Sequence, residues 1–157
     1  MKITLLTVGK TEKGYLQEGI AMYCGRIGHY VSFRMQEIPD IKGASSLSQA
    51  QIKEREADNI MKYVKPADEV VLLDERGVQR GSEDWARSLG ERFLRDSRDM
   101  VFVIGGPYGF SERIYQRADG MMSLSKMTFS HQMVRLVFLE QLYRAFTIMK
   151  GEPYHHK

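Results

Sequence analysis

The sequence is poor in the residues that stabilise small secreted proteins or bind structural metals. Cys24 is the single cysteine among 157 residues, so no disulfide can form within the chain. Only four histidines are present, and no spaced cluster of cysteine and histidine indicates a zinc site. No apolar run approaches the roughly 18 residues that a membrane helix needs, and the first one is too short for a signal peptide. These absences favour a cytoplasmic protein without a metal, a membrane anchor or an export signal.

Charge and length narrow the class of protein further. The chain carries 23 Lys and Arg against 20 Asp and Glu, which gives a net charge of +3 and a pI near 9.0. This balance is compatible with a nucleic-acid partner and equally with an ordinary protein surface. The length is that of one domain with a full hydrophobic core, so we expect a single domain over residues 1–157.

Segments with the character of strands and helices alternate along the chain. Apolar or alternating runs predict five β-strands, at residues 3–8, 31–38, 69–74, 100–104 and 121–124. Further segments predict helices at residues 15–27, 52–64 and 82–95, a short helix after Ser111, and a last helix from Ser130 to about Met149. This order predicts an α/β domain with a mostly parallel sheet of about five or six strands and helices on both faces.

Small and polar residues mark the connections between these segments. The stretch 40–51 has low hydrophobicity and predicts a mobile loop. Gly77 and Gly81 are expected to turn the chain after the third strand. Ser82 is expected to cap the following helix, because two acidic residues behind it favour a helix start.

The last helix has almost no polar face. Apolar side chains recur on all its sides between Met133 and Met149. A helix that is apolar all round is buried on more than one side. A sheet of five strands covers one side, so we expect the opposite side to meet a second subunit in a homodimer. Burial within a single chain is the alternative.

Two loops follow strands at the positions where open α/β sheets bind ligands. Segment 104–109, IGGPYG, contains paired glycines that let a backbone approach a ligand closely, although a tight turn uses the same residues. It has neither the glycine spacing of a dinucleotide fingerprint nor the lysine of a P-loop. Segment 123–129, SLSKMTF, offers amides, hydroxyls and apolar side chains, which suits a ligand with a flat ring and polar edges. A loop followed by a helix cap is the plainer interpretation.

Two pairs of polar residues are four positions apart at the last helix. His131 and Arg135 share a face near its start, where they can hold an anion or an RNA phosphate, or simply solvate a polar strip. Glu140 and Arg144 lie on a different face and have the spacing of an ion pair.

Four motifs in order, together with the opening MKITLLTVGK and the length, resemble one known family. The motifs IGGPYG, LSKMTFSHQMVR, LEQLYRAF and the ending PYHHK are similar to those of the ribosomal RNA large subunit methyltransferase H family, within the SPOUT superfamily. The resemblance covers essentially the whole chain. It implies an α/β trefoil knot, a homodimer and S-adenosylmethionine as methyl donor. The implied reaction is methylation of N3 of a pseudouridine in the 23S rRNA of the assembled large ribosomal subunit.

The resemblance also implies which residues contact the methyl donor. They end the third strand or lie in the two loops: Leu73, Gly105, Leu124, Ser125, Lys126, Met127, Thr128 and Phe129. The family often has proline where this chain has Ser130. Serine is also a good helix cap, so we expect the pocket to persist.

Methylation of N3 requires loss of an imide proton, so a base or a cation must assist. We favour Tyr154 and His155 of the tail 150–157, with Arg135 and Arg144 as electrostatic helpers and His131 as a further possibility. The reaction activates no water, so no metal is needed. Basic residues near the loops predict electrostatic assistance of rRNA binding: Arg76, Arg80, Lys126, Arg135 and Lys150.

Two alternatives are less specific. In the first alternative, the tail is a frayed terminus with incidental histidines. In the second, the chain is a non-catalytic α/β module that binds a nucleotide or the ribosome through the same loops. Binding of S-adenosylmethionine in preference to ATP or NAD distinguishes an enzyme from such a module.

Overall fold

The computed structural model describes residues 1–156; Lys157, the last residue of the predicted tail, lies outside them. The strands are β1 (Lys2–Val8), β2 (Ser32–Ile38), β3 (Glu69–Gln79), β4 (Met100–Ile104) and β5 (Gly120–Ser123). The α-helices are α1 (Tyr15–Ile27), α2 (Gln49–Met61), α3 (Ser82–Arg95), α4 (Glu112–Arg117) and α5 (Met133–Met149). No helix within the described residues is long and apolar enough to cross a membrane.

The five strands form one parallel sheet in the order β2-β1-β4-β3-β5. The central strand β4 is paired on both sides, and its Phe102 is in register with Leu5 of β1 and Val71 of β3. Every residue of β4 is buried, which explains the apolar run MVFVI. The predicted α/β class with a parallel sheet is confirmed. The trefoil knot stays a prediction.

Helices cover both faces of the sheet, and alternate strand residues face two separate cores. Leu5 and Phe102 face one core, which they share with α1, α3 and α5. Leu6 and Val103 face the other, which they share with α2 and α4. The ring of Phe102 packs on Phe138 of α5 with 4.9 Å between centroids. The sheet therefore fixes α5 directly against its central strand.

Helix α5 is buried by the sheet, by α1 and by α3 within one chain. Its inward side chains include Leu139, Leu142 and Phe146, each at most 4% exposed. Positions on the opposite side are only half-buried: Met133, Val137, Glu140 and Arg144. We call these four residues the outer strip of α5, because their spacing places them on one helix face. The strip is the part of α5 that a single chain leaves accessible.

Strand β3 continues to Gln79, beyond its predicted end at Asp74. Its register with β5 shifts between Leu73 and Val78, as at a β-bulge. Gly77 lies within the strand, where a Cβ would be 2.6 Å from the backbone of Met122. The prediction that Gly77 turns the chain was therefore wrong. Close approach of two backbones requires glycine just as a turn does.

The serines at helix starts behave differently from one another. Ser82 is not the cap of α3: its hydroxyl donates to Gln141 of α5 at 2.8 Å, and Gly81 occupies the cap position. Ser130 accepts a hydrogen bond from the N–H of Met133 at 3.0 Å in the turn before α5, although the helix begins at Met133 and its cap position is Gln132. The predicted cap at Ser82 was wrong because a partner distant in sequence engages its hydroxyl.

The stretch 40–51 contains regular structure rather than only a loop. A 3₁₀ turn spans Ala44–Ser46, and Ser48 and Gln51 form a capping box at 3.1 and 2.9 Å. Helix α2 therefore begins at Gln49, slightly before the predicted start near residue 52.

Candidate active site

A cleft of about 450 Å³ opens at the carboxyl edge of the sheet, where β3, β4 and β5 approach one another. Its walls are the glycine loop, residues 105–109, and the segment 124–129. All but one of the residues expected to contact the donor line it: Leu73, Gly105, Leu124, Ser125, Met127, Thr128 and Phe129. The side chain of Lys126 is exposed and is not part of the wall. The structure therefore brings together residues that are up to 56 positions apart in the chain.

The glycine loop is held tightly by the residues behind it. Gly109 has φ of 81°, which favours glycine, and its N–H donates to the carbonyl of Gly106 at 3.2 Å. A Cβ on Gly105 would meet the Phe110 ring at 3.0 Å, and one on Gly106 would meet the Glu56 carboxylate at 2.8 Å. We expected a side chain at the paired glycines to occupy space that the ligand needs. In the structure it would first meet Phe110 or Glu56.

A hydrogen-bonded group lies on another wall of the cleft. Asp74 accepts a bond from the Tyr115 hydroxyl at 2.6 Å and from the Arg76 N–H at 2.9 Å. The Arg76 guanidinium lies over the Tyr115 ring, 4.6 Å from its centroid. Burial opposes ionisation of Asp74, but the bonds from Tyr115 and Arg76 hold its pKa below the ordinary value. The cleft therefore contains a fixed negative charge beside Leu73.

Of the pair His131 and Arg135, only His131 lines the cleft. Arg135 is fully buried, and its guanidinium donates to the carbonyls of Val8 and Gly9 and to the hydroxyl of Thr11, each at 3.0 Å. Burial lowers its pKa. These bonds join the start of α5 to the chain that follows β1, and they occupy the donors that we expected to face a substrate.

A second polar group forms where the tail folds back on α5. The hydroxyl of Tyr154 donates to Glu140 at 3.1 Å, and Arg144 donates to the same carboxylate oxygen at 2.6 and 3.1 Å. Arg144 also contacts Nδ1 of His155 at 3.0 Å, and Nε2 of His155 lies 3.3 Å from Glu83 of α3. We call these five residues the tail cluster. The ion pair between Glu140 and Arg144 matches their spacing.

The partners in the tail cluster determine which groups hold protons. A guanidinium only donates, so Nδ1 of His155 accepts from Arg144 and Nε2 carries the proton toward Glu83. The pKa of Tyr154 is raised well above its ordinary value by burial, by its bond with Tyr23 and by the charge of Glu140. The bond to Glu140 raises the pKa of Arg144. The cluster thus holds a fixed cation, a protonated phenol and an imidazole with one defined acceptor nitrogen.

The cleft and the tail cluster are separate within one chain. Val134 lines the cleft, and Arg144 lies ten positions later on α5, which is about 15 Å along the helix axis. Within residues 1–156, neither Tyr154 nor His155 lines the cleft. A single chain therefore holds the two groups apart.

Sequence reasoning missed residues in both groups. Asp74 follows Leu73 directly, so its position at a strand end was a usable signal. The Tyr23 hydroxyl lies 3.2 Å from that of Tyr154 but 131 positions away in the chain, and Glu83 is 72 positions from His155. No local spacing indicates such contacts. Within the described residues, no group of three or more His, Cys, Asp or Glu has the arrangement of a metal site.

Comparison with known proteins assigns the chain to a family. A family model described as "Predicted SPOUT methyltransferase" matches residues 1–155. The chain belongs to the SPOUT methyltransferase family. It is 51% identical to a protein of Parabacteroides distasonis and 52% identical to one of Christiangramia forsetii, over all 157 residues and the full length of each relative. Both relatives are named ribosomal RNA large subunit methyltransferase H, which confirms the resemblance found in the sequence.

Solved structures agree with this SPOUT methyltransferase assignment at the level of the fold. A "probable methylase family protein" from Haemophilus influenzae has a TM-score of 0.54 and 12% identity, over 99% of this chain and 70% of its own. A protein from Bacillus anthracis has a TM-score of 0.53 and 11% identity, over 99% and 98%. At such low identity the likeness shows the fold alone.

Proposed function

We propose that this protein transfers a methyl group from S-adenosylmethionine to N3 of a pseudouridine in the 23S rRNA of the assembled large ribosomal subunit. The cleft at the carboxyl edge of the sheet carries the proposal, because its walls contain all but one of the residues that the family resemblance assigns to the donor. The names of the full-length relatives support rRNA as the substrate class. The protein would act in the cytoplasm, where ribosomes are found.

The chemistry of the cleft fits the donor. Leu73, Leu124 and Phe129 supply apolar surface for an adenine ring, and Ser125 and Thr128 supply hydroxyl groups for its polar edges. The carboxylate of Asp74 suits ribose hydroxyls or a cationic group. S-adenosylmethionine supplies an electrophilic methyl group when bound. The residues of the cleft orient it, and such positioning accounts for much of the acceleration in a methyl transfer.

The acceptor N3 carries an imide proton that must leave, and we assign its removal to His155. Tyr154 stays protonated and Arg144 stays cationic, so neither accepts a proton. Nδ1 of His155 becomes free when the Arg144 guanidinium turns from the imidazole to a carbonyl oxygen of the base. Arg144 then stabilises the developing negative charge, and the bond from Tyr154 to Glu140 keeps this carboxylate in place.

The other two residues predicted to be catalytic have different roles in this proposal. His131 lines the donor cleft, so it is the second candidate for accepting the proton. Arg135 is a positioning residue, because its guanidinium is wholly engaged in holding the start of α5.

The complete site requires two copies of the chain. The tail cluster and the donor cleft lie at different parts of α5, whereas methyl transfer needs the acceptor in line with the methyl carbon. We propose that the outer strip of α5 packs against a second copy in a homodimer. The tail of one subunit then reaches the cleft of the other, and the active site is composite.

Methylation of purified large subunits tests the reaction. Large subunits that lack this methyl group are incubated with the protein and methyl-labelled S-adenosylmethionine, and the rRNA is then digested to nucleosides. We expect label on N3 of one pseudouridine. Subunits that already carry the methyl group are the control and accept no label. Label on another nucleoside, or none, contradicts the proposed reaction.

Calorimetry separates the enzyme from a non-catalytic nucleotide-binding module. We expect S-adenosylmethionine and its demethylated product to bind, with a clear preference over ATP and NAD. Equal affinity for all four ligands favours the module instead.

A further inference from the structure

A carboxyl group that the proposed reaction does not use lies directly beneath the glycine loop. Glu56 of α2 is only 8% exposed, and its two oxygens would be 2.8 and 3.2 Å from a Cβ on Gly106. Its neighbours Glu54 and Asp58 are exposed on the other side of α2 and pair with Arg113 at 3.0 and 2.7 Å. Within residues 1–156, no hydrogen bond or ion pair engages the carboxyl of Glu56. A largely buried acid without a protein partner is costly to ionise, which calls for a functional reason.

The space around Glu56 is enclosed by several elements. Side chains from β1, from the end of the glycine loop and from α4 line it: Val8, Phe110, Ser111 and Ile114. None of these is charged, and the hydroxyl of Ser111 is itself buried without a partner among the described residues. Lys53, one turn earlier on α2, lines this space, and the charge of Asp40, in the connection between β2 and α2, acts on Glu56.

This environment places the titration of Glu56 near neutrality. Burial raises its pKa to about 7, and the negative charge of Asp40 contributes in the same direction. Below this pH the group is neutral and compatible with an enclosed space. Above it, an unpaired anion lies against the loop and against Asp40. The contact with Gly106 makes the backbone of the loop sensitive to the change.

We propose that Glu56 is a positioning residue of the donor site, whose neutral carboxyl supports Gly106 from beneath and whose ionisation weakens donor binding. The anion moves toward water or toward Lys53, so the loop loses the surface on which it rests. Donor affinity therefore falls as Glu56 ionises, while the tail cluster keeps its arrangement. The inference rests on the proposed position of the donor in the cleft.

The test compares donor affinity at about pH 6 and about pH 8.5 in the wild type and in Glu56→Gln. The amide has the size of the carboxyl but stays neutral, so we expect it to bind the donor at high pH several-fold more tightly than the wild type. At low pH the two proteins bind equally. The donor's own amino group also titrates in this range, but its effect is common to both proteins and cancels in their comparison.

Two further variants define the role of the side chain. Glu56→Ala removes the support under Gly106, so we expect weaker donor binding at both pH values. Glu54→Gln, on the exposed side of the same helix, is the matched control and keeps the wild-type pH profile. In kinetic assays, Glu56→Gln lowers the KM for the donor at high pH and leaves kcat unchanged, because the tail cluster is unaffected.

The outcomes separate this inference from the proposed function. Coinciding pH profiles for the wild type and Glu56→Gln overturn the role of Glu56, even when both proteins bind the donor well. Absence of donor binding by the wild type at either pH contradicts the donor cleft itself. If Glu56→Ala does not fold, the comparison with Glu56→Gln still decides.

Discussion

The donor cleft and the tail cluster are built by opposite means. The cleft consists of loops that follow parallel strands, and its lining is largely backbone, small residues and apolar side chains, with Asp74 as an engaged charge. The tail cluster consists of polar side chains from two helices, α3 and α5, and from the terminus. The fold itself provides a place for the donor, whereas side chains outside the sheet provide the proton chemistry. Each group lacks what the other supplies.

Helix α5 connects these two groups. Its start is fixed by the bonds of Arg135 to Val8 and Gly9, beside the cleft. Its second half carries Glu140 and Arg144, on which the tail folds. Because the helix is rigid, the separation between the groups in one chain is rigid too. The two groups therefore meet only between the subunits of the proposed dimer. Removing either group should leave the other intact.

The largest effect is expected from removal of the tail. Deletion of residues 154–157 takes away the proton acceptor and a bond to Glu140, so methyl transfer should fall by roughly 10²- to 10⁴-fold. Donor affinity measured by calorimetry should not change, because in this proposal the tail takes the proton of the acceptor and does not contact the donor. His155→Ala should reproduce much of the loss. A truncated protein that methylates at the wild-type rate would show the tail to be an ordinary frayed end and would leave His131 as the candidate proton acceptor.

Mixing two inactive variants tests whether the tail of one subunit serves the cleft of the other. A subunit without its tail still offers a cleft, and a subunit with a defective cleft still offers a tail. Random pairing makes about half of the dimers mixed, and each mixed dimer has one complete site, so about a quarter of the activity should return. If the mixture stays inactive although mixed dimers form, the tail acts within its own subunit.

The second largest effect is expected from Gly105→Val, which should make the donor cleft defective. The new side chain meets the Phe110 ring at 3.0 Å, so Phe110 and the loop must shift, at a cost of about 1–3 kcal/mol in stability. We expect donor affinity to fall more than tenfold, with cooperative thermal unfolding retained. Gly120→Ala is the matched control, because a Cβ there meets nothing within 4 Å. Donor binding at wild-type strength would show that the loop lies outside the donor site.

The sequence predicted the sheet and the cleft better than the tail cluster, for a physical reason. Central strands such as β4 are apolar runs, and the carboxyl ends of parallel strands necessarily meet at one edge. The position of the cleft follows from local patterns alone. The contacts of Tyr154 with Tyr23 and of His155 with Glu83 depend instead on how helices pack, and no short spacing encodes them.

The difference between local and long-range contacts also explains which predictions were wrong. Gly77 and Ser82 have residue types that are typical of a turn and a cap, but tertiary partners use them otherwise. Arg135 has helical spacing from His131, yet the spacing does not reveal that its side chain is fully buried. Ser130 accepts a hydrogen bond from a residue three positions away, as a cap does, although the cap position of α5 is Gln132. Local interactions were predictable, and those between distant segments were not.

A smaller effect is expected from a charge on the outer strip of α5. Val137→Asp should place a carboxylate in the proposed dimer interface, raising the dimer dissociation constant with little change in monomer stability. Sedimentation velocity at micromolar concentration measures the change, and Leu94→Asp on α3, at a position 90% exposed, is the control. Aspartate at Leu139 or Phe146 is unsuitable, because both are buried within the chain and the variants should unfold. A wild-type protein that sediments as a monomer contradicts the dimer.

The smallest effect concerns the charges around the cleft. Binding to the large subunit should weaken as salt rises, because phosphate contacts release counterions, whereas donor binding should barely change. The buried Arg135 does not contribute, and Arg76 is engaged by Asp74 at 3.2 Å. Lys126 is exposed beside the cleft, so Lys126→Ala should reduce the slope of log affinity against log salt by about one. Equal salt dependence of donor and subunit binding would mean that these charges serve the donor or the fold. An unchanged slope in Lys126→Ala would place the RNA on the other side of the cleft, away from the segment 124–129.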